Sequence, residues 1–206
     1  MWEIDDLFGA DQQPWTQGLQ AGVDEVGIGP LAGPVYAAAV LLDPAQPIEG
    51  LHDSKVLTAK KREMLALEIQ EKAQSWAIAQ ASVEEIDRLN ILRASHLAMQ
   101  RAVNNLAVRP HMIYVDGNKA PHMELPVVAV VQGDKRIPQI SAASIIAKVA
   151  RDTAMANLDE QFPGYGFAKN KGYPTKQHFA ALKSIGATTV HRRSFAPVRA
   201  VLEPAL

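Results

Sequence analysis

A-G-V-D-E-V-G-I-G-P-L-A-G-P-V-Y-A-A-A-V-L-L, residues 21–42, decides the fold. Ala21–Val26 and Pro34–Leu42 read as two short strands, and the glycines and prolines between them as the turn of an antiparallel hairpin. The run Gly27-Ile28-Gly29-Pro30-Leu31-Ala32-Gly33 superficially matches a dinucleotide-binding turn. That turn must open a helix whose amides face a pyrophosphate, whereas a β-like run follows Pro34. The glycines instead fit a backbone that a nucleic-acid strand approaches closely.

Outward from the hairpin, Thr58–Ala73 is periodic for a helix, with Met64, Leu65 and Ile69 on its buried face. Ser75–Ala81 alternates like a third strand. Val83–Leu106 reads as one long helical region, in which Ala94, Ala98, Ala102 and Leu106 recur at four-residue steps. Met112–Val115 and Leu125–Val131 are continuous apolar runs, the pattern of strands buried on both faces. Ser141–Leu158 and Thr175–Ser184 are helical, and a last helix starts near Ser194. The expectation is an α/β chain: a mixed sheet of about five strands, flanking helices and a basic helical appendage. Residues 1–20 read as a leader, and 21–206 as a single domain with a basic C-terminal helical subregion over about 161–201.

The chain has 206 residues, 48% hydrophobic and 21% charged, which excludes wholesale disorder. No cysteine is present, so disulfide scaffolds, thiolate zinc sites and cysteine nucleophiles are excluded together. No stretch reaches the roughly 20 apolar residues of a membrane span. The first eleven residues carry Glu3, Asp5, Asp6 and Asp11 and no basic residue, unlike a signal peptide. A cytoplasmic protein with no membrane partner is the expectation.

A net charge of −1 hides an asymmetry. Residues 1–133 carry −7 and residues 134–206 carry +6, with no carboxylate between Gln161 and Leu202. This fits a polyanion bound on the basic side or a solvated cationic face, and charge alone leaves both open.

Three segments place acids beside glycine where strands should end: V-D-E-V-G-I-G with Asp24 and Glu25, I-Y-V-D-G-N with Asp116, and V-V-Q-G-D-K with Asp134. Taken singly, each acid reads best as a turn or helix cap. Together, in a chain with a basic second half, they favour a site at the strand ends of an open sheet. Neither histidine nor thiol stands in these segments, and all-oxygen ligation favours Mg²⁺ or Mn²⁺ over zinc. Four negative charges match two divalent cations, the arrangement suited to in-line displacement at phosphorus.

The segments D-E-V-G-I-G-P-L-A-G-P-V, D-S-K, N-I-L-R-A-S, Y-V-D-G-N, Q-G-D, S-A-A-S-I-I-A-K-V-A-R-D, K-N-K-G-Y-P-T and H-R-R-S-F-A-P-V resemble, in order, those of ribonuclease HII. They run from about Val23 to Val198. The resemblance implies a ribonuclease H-like fold. It also implies metal-dependent endonucleolytic hydrolysis of RNA in RNA–DNA hybrids, and nicking 5′ of single ribonucleotides in duplex DNA, leaving 3′-hydroxyl and 5′-phosphate ends. The family's four metal-site carboxylates fall on Asp24, Glu25, Asp116 and Asp134, the same set chosen from the residues.

The resemblance puts the ribonucleotide-sensing tyrosine at Tyr173, and an aromatic ring with a hydroxyl suits a sugar bearing a 2′-OH. Lys55 and Lys171 match positions suited to phosphate contact. Ser144 and Lys148 lie one turn apart on a predicted helix together with Arg151, placed to face the strand backbone. His191 carries no catalytic assignment. One departure stands out: where the family reads G-R-G, this chain has Gly27-Ile28-Gly29. The glycines that let main chain approach the ribose remain, while a phosphate-facing cation is lost. Two rivals are a nuclease of the same fold that cuts all-DNA substrates, and a catalytically silent hybrid-binding module. A monomer is the default expectation.

Overall fold

The computed structural model describes residues 18–51, 54 and 57–203. Strand β1 (Gln20–Val26) turns back into β2 (Val35–Leu41), antiparallel, with Gly22 opposite Val40 and Val26 opposite Tyr36. β3 (Ser75–Ala81) continues the antiparallel half, while β4 (Met112–Asp116) and β5 (Val127–Val130) run parallel to β1. The sheet order is β3-β2-β1-β4-β5, the expected mixed five-stranded sheet.

The helices are α1 (Ala59–Lys72), α2 (Val83–Leu89), α3 (Ile91–Asn104), α4 (Pro138–Gln161), α5 (Phe167–Asn170), α6 (Lys176–Ile185) and α7 (Ala196–Leu202). The alanine step of α3 covers one sheet face, where Ala94, Ala98 and Ala102 meet Val23, Ala37, Ala39 and Val115. The other face is covered by α4 through Ala142, Ala143, Ile145 and Ile146 against Ala38 and Val40. Gly22 lets α4 start directly on β1, because a Cβ there would lie 2.1 Å from the Gln139 carbonyl carbon. A third apolar cluster, with Leu31, Ala32, Met155, Tyr165, Phe167, Leu182 and Val198, roots the C-terminal helices against the glycine turn.

Three features depart from the sequence-based expectation. The helical region Val83–Leu106 is broken at Asn90, whose φ of 72° is tolerated by asparagine but stops a helix. Its side chain then caps α3 by accepting from the Arg93 amide, while Ser82 and Glu85 form a capping box at the start of α2. Met64 is exposed, because α1 turns Leu65, Ala66 and Ile69 toward α4 instead. β5 is not buried on both faces: it is the outer strand of the order, and Val131 beyond it is exposed. Among the described residues no helix is long and apolar enough to cross a membrane.

Candidate active site

Three parallel strands end on the same sheet edge, and that edge collects the acids. The register that sets Val23 beside Val115 carries Asp24 beside Asp116. Asp116 is the last residue of β4, and Asp134 lies in a 3₁₀ turn (Gly133–Lys135) just past β5. The Gly133 amide donates to Asp116 Oδ1 at 2.7 Å, tying the ends of β4 and β5 together. Successive side chains leave β1 on opposite faces. Asp24, opposite Ala38, stands on the α4 face; Glu25, opposite Ala37, stands on the α3 face.

Asp24 is 6% exposed, and its carboxyl is held well above the usual carboxylate range. Burial is the main cause, followed by the charges of Glu25 and Asp116. Hydrogen bonds from the Ser144 hydroxyl and the Glu25 amide (2.7 Å) pull the other way. Among the described residues, no group of three or more His, Asp or Glu side chains is arranged so that it could hold a metal ion. The structure brings the acids to one edge without closing them into a cage.

Beside this edge lies the glycine turn, held by two buried arginines that the sequence reading did not connect with it. Arg192 donates from Nε to the Gly33 carbonyl at 2.9 Å, from Nη1 to Ile28 at 2.9 Å and from Nη2 to Gly27 at 2.6 Å. Arg151 donates to Pro34, Ala32 and Lys171 carbonyls at 3.2, 3.2 and 3.0 Å. Gly27, at φ 102°, leaves room for this, since a Cβ would lie 2.2 Å from Arg151 Nε. A guanidinium suits this task because its donors fan out in a fixed plane. Burial, then the charge of Arg151, pushes Arg192 down to about 9. A trans peptide holds its C=O and N–H on opposite sides. With the Gly27 and Ile28 carbonyls turned to Arg192, the Ile28 and Gly29 amides face away from it, on exposed residues.

Tyr173 sits on this turn. A Cβ on Gly29 would lie 3.5 Å from Tyr173 Cε1, and the tyrosine is 39% exposed. Its loop is stitched to the turn by Leu31 N–H to the Gly172 carbonyl (2.8 Å) and by Arg151 to Lys171. The two sugar-facing elements inferred from the resemblance are therefore neighbours.

The helix residues behave differently from the expectation. Ser144 does not lie open to a strand backbone; it is buried beneath Asp24, with its Oγ 2.9 Å from Ser54 Oγ. Lys148 is paired with Asp152 at 2.7 Å. Lys171 Nζ reaches the Asp152 carbonyl at 3.3 Å, and Arg62 approaches its carboxylate at 4.0 Å. Asp152 thus gathers three cations on one surface. Lys55 lies outside the described residues. The signal for Arg151 was the pair Gly27 and Gly33, which leave it room, but nothing local to Arg192 marks its targets.

A concavity of about 720 Å³ lies away from this edge between α3 and the loop before β5, lined by Leu97, Leu106, Met123 and Leu125 among others.

A mixed sheet with acids at the ends of its parallel strands and helices on both faces is the ribonuclease H-like architecture. The chain belongs to the ribonuclease HII family, whose model matches residues 21–198. It is therefore a ribonuclease H, an endonuclease that hydrolyses RNA in RNA–DNA hybrids. Ribonuclease H2 of Pyrococcus horikoshii OT3 is similar in structure, with a TM-score of 0.75 and 29% identity over 90% of this chain and 97% of that one. Ribonuclease HII of Archaeoglobus fulgidus, solved in complex with PCNA, gives 0.71 and 28% over 84% and 93%. Bst-RNase HIII, solved with Mn²⁺, shares the fold at 0.69 and 20% identity, over 89% of this chain and 69% of that one.

Proposed function

We propose that this ribonuclease also nicks duplex DNA on the 5′ side of a single embedded ribonucleotide, leaving 3′-hydroxyl and 5′-phosphate ends. The observation that carries this reading is the placement of the Tyr173 ring beside Gly29 in a turn whose Ile28 and Gly29 amides face outward. An aromatic ring beside outward amides reads one sugar and its 2′-OH and needs no run of RNA.

The donor chemistry at the strand ends suits divalent cations, although the side chains stand too far apart in this structure to enclose one. It is all oxygen, and the repulsion that lifts Asp24 is the kind an ion between carboxylates relieves. Asp24, Glu25, Asp116 and Asp134 would hold two Mg²⁺ or Mn²⁺ ions, which when bound supply Lewis-acid chemistry for displacement at phosphorus. Ser144 orients the Asp24 carboxylate from below. Lys148 and Lys171, aimed by Asp152, meet backbone phosphates together with Lys55. One copy of the chain carries every group in this reading, so the monomer is the acting unit.

The test is a DNA duplex with one ribonucleotide, incubated with and without Mg²⁺ beside an all-DNA control. A Mg²⁺-dependent nick 5′ of the ribonucleotide, with an intact control, is the expected result. Cutting of the all-DNA duplex would place the chain with same-fold DNA nucleases, and binding without cutting would make it a silent module.

A further inference from the structure

Behind the Tyr173 loop two histidines are buried in contact, His178 on α6 and His191 before α7, with their Nε2 atoms 3.1 Å apart. The hydrogen bonds around them admit one arrangement of protons. The Thr188 amide can only donate, and it points at His191 Nδ1 at 3.0 Å, with the Thr188 hydroxyl at 2.9 Å. His191 therefore carries its proton on Nε2 and donates it to His178 Nε2. His178 must then carry its proton on Nδ1, which lies 3.0 Å from the Tyr173 carbonyl. That carbonyl also accepts from the Thr175 amide at 2.8 Å, where α6 begins.

This neutral chain runs Thr188, His191, His178, Tyr173 through an aromatic box. Tyr165 and Phe167 stack at 5.2 Å, with Tyr165 4.8 Å from the His191 ring and Phe167 5.4 Å from the His178 ring. The surrounding cluster is apolar and would accept two apolar side chains at lower desolvation cost. What an apolar pair would lack is a donor fixed on the Tyr173 carbonyl, and hence a fixed orientation for the peptide that carries the ring.

We propose that His178 is a positioning residue for ribonucleotide recognition: with His191 fixing its tautomer, it holds the Tyr173 main chain so that the ring stays on Gly29. The inference rests on the reading of Tyr173 as the sugar-facing side chain.

Two amide variants separate positioning from packing. In His178→Asn the amide nitrogen stands near the place of Nδ1 and still donates to Tyr173. In His178→Gln the amide reaches toward Nε2, and the donor to Tyr173 is lost. On a duplex with one ribonucleotide, His178→Gln should lose about tenfold in kcat with KM little changed, as a small misplacement near the chemistry does. His178→Asn should stay within about threefold, and His178→Gln added to Tyr173→Ala should cost less than about twofold more. Equal losses in the two amide variants, or an undiminished loss on the Tyr173→Ala background, would overturn the proposal. Tyr173→Ala turning over at the wild-type rate would instead retire the parent reading, and the positioning role with it. Should both amide variants fail to fold, nitrogen-15 spectra of the wild-type imidazoles decide. His178 protonated on Nδ1 and His191 on Nε2 support the proposal, and the reverse pattern ends it.

Discussion

The two halves of the candidate site are built on opposite electrostatic terms. At the strand ends, Asp24 is a buried acid among acids, opposed chiefly by hydrogen bonds from Ser144 and the Glu25 amide. Under the glycine turn, Arg151 and Arg192 are buried cations whose hydrogen bonds go to backbone carbonyls. The carbonyls satisfy the arginines where they stand. Asp24 is left with repulsion from Glu25 and Asp116 that a cation would relieve. The first half is thus poised to take up a ligand charge, and the second is finished as a scaffold. Substitutions should accordingly hit activity in one and stability in the other.

The sharpest break of that contrast is Asp24→Asn. It should abolish cleavage, by more than about a thousandfold, while hybrid binding remains measurable. The same change should leave thermal stability at pH 7 unchanged or higher. A folded-state carboxyl raised above its unfolded value stabilises at acid pH and loses that contribution as pH rises. Substantial residual turnover would remove Asp24 from its assigned role. Arg192→Met should do the reverse. Three carbonyls lose their donors, at about 1–3 kcal/mol for a buried unsatisfied group, so a fall of roughly 3 kcal/mol or more is expected in a denaturant melt. An Arg192→Met protein as stable as wild type would mean the turn holds itself.

The same contrast explains what the sequence made legible. Asp24, Asp116 and Asp134 are conspicuous as acids closing apolar runs, and the parallel direction of β1, β4 and β5 brings them to one edge. Arg192 bonds Gly27 across 165 positions, and its targets are carbonyls, which every residue has. No pattern of residue types can announce such a bond. The histidine chain was hidden for the same reason, since its terminus is the main chain of Tyr173. Ser144 and Lys148 were correctly set on one helix, but periodicity could not tell that Ser144 lies under Asp24 or that Asp152 claims Lys148. The break at Asn90 was missed because helical spacing continues through it, and only its positive φ interrupts the hydrogen bonds.

Ile28 lies between the two halves and offers a finer test. It is 39% exposed at the position where the resemblance implies arginine, and its carbonyl is already taken by Arg192. A new side chain there should leave the turn intact. Ile28→Arg adds a cation at a solvated position, so the gain should be about 1 kcal/mol, a fall in KM of roughly fivefold. The slope of log affinity against log salt should steepen by about 0.9 for one added phosphate contact. If neither KM nor slope moves, the turn does not meet phosphate at this position.

The smallest effect is the pH dependence contributed by the buried histidines, and its sign sets it against that of Asp24. Burial lowers both residues, His191 to about 4, with the neighbouring His178 charge adding to the fall. The unfolded chain takes up these protons near pH 6.5, before the folded chain does. Stability from the pair is therefore complete above about pH 7 and declines as pH falls from about 6.5 toward 4. A second proton on His178 would place N–H against N–H across the 3.1 Å contact, and one on His191 would turn Nδ1–H against the Thr188 amide, and either breaks the order that ends on Tyr173. Melting temperature measured from pH 7.5 down to pH 4.5 should fall more steeply in the wild type than in His191→Gln, whose amide does not titrate. Parallel curves for the two proteins would show that the folded pair takes up protons as readily as the unfolded chain.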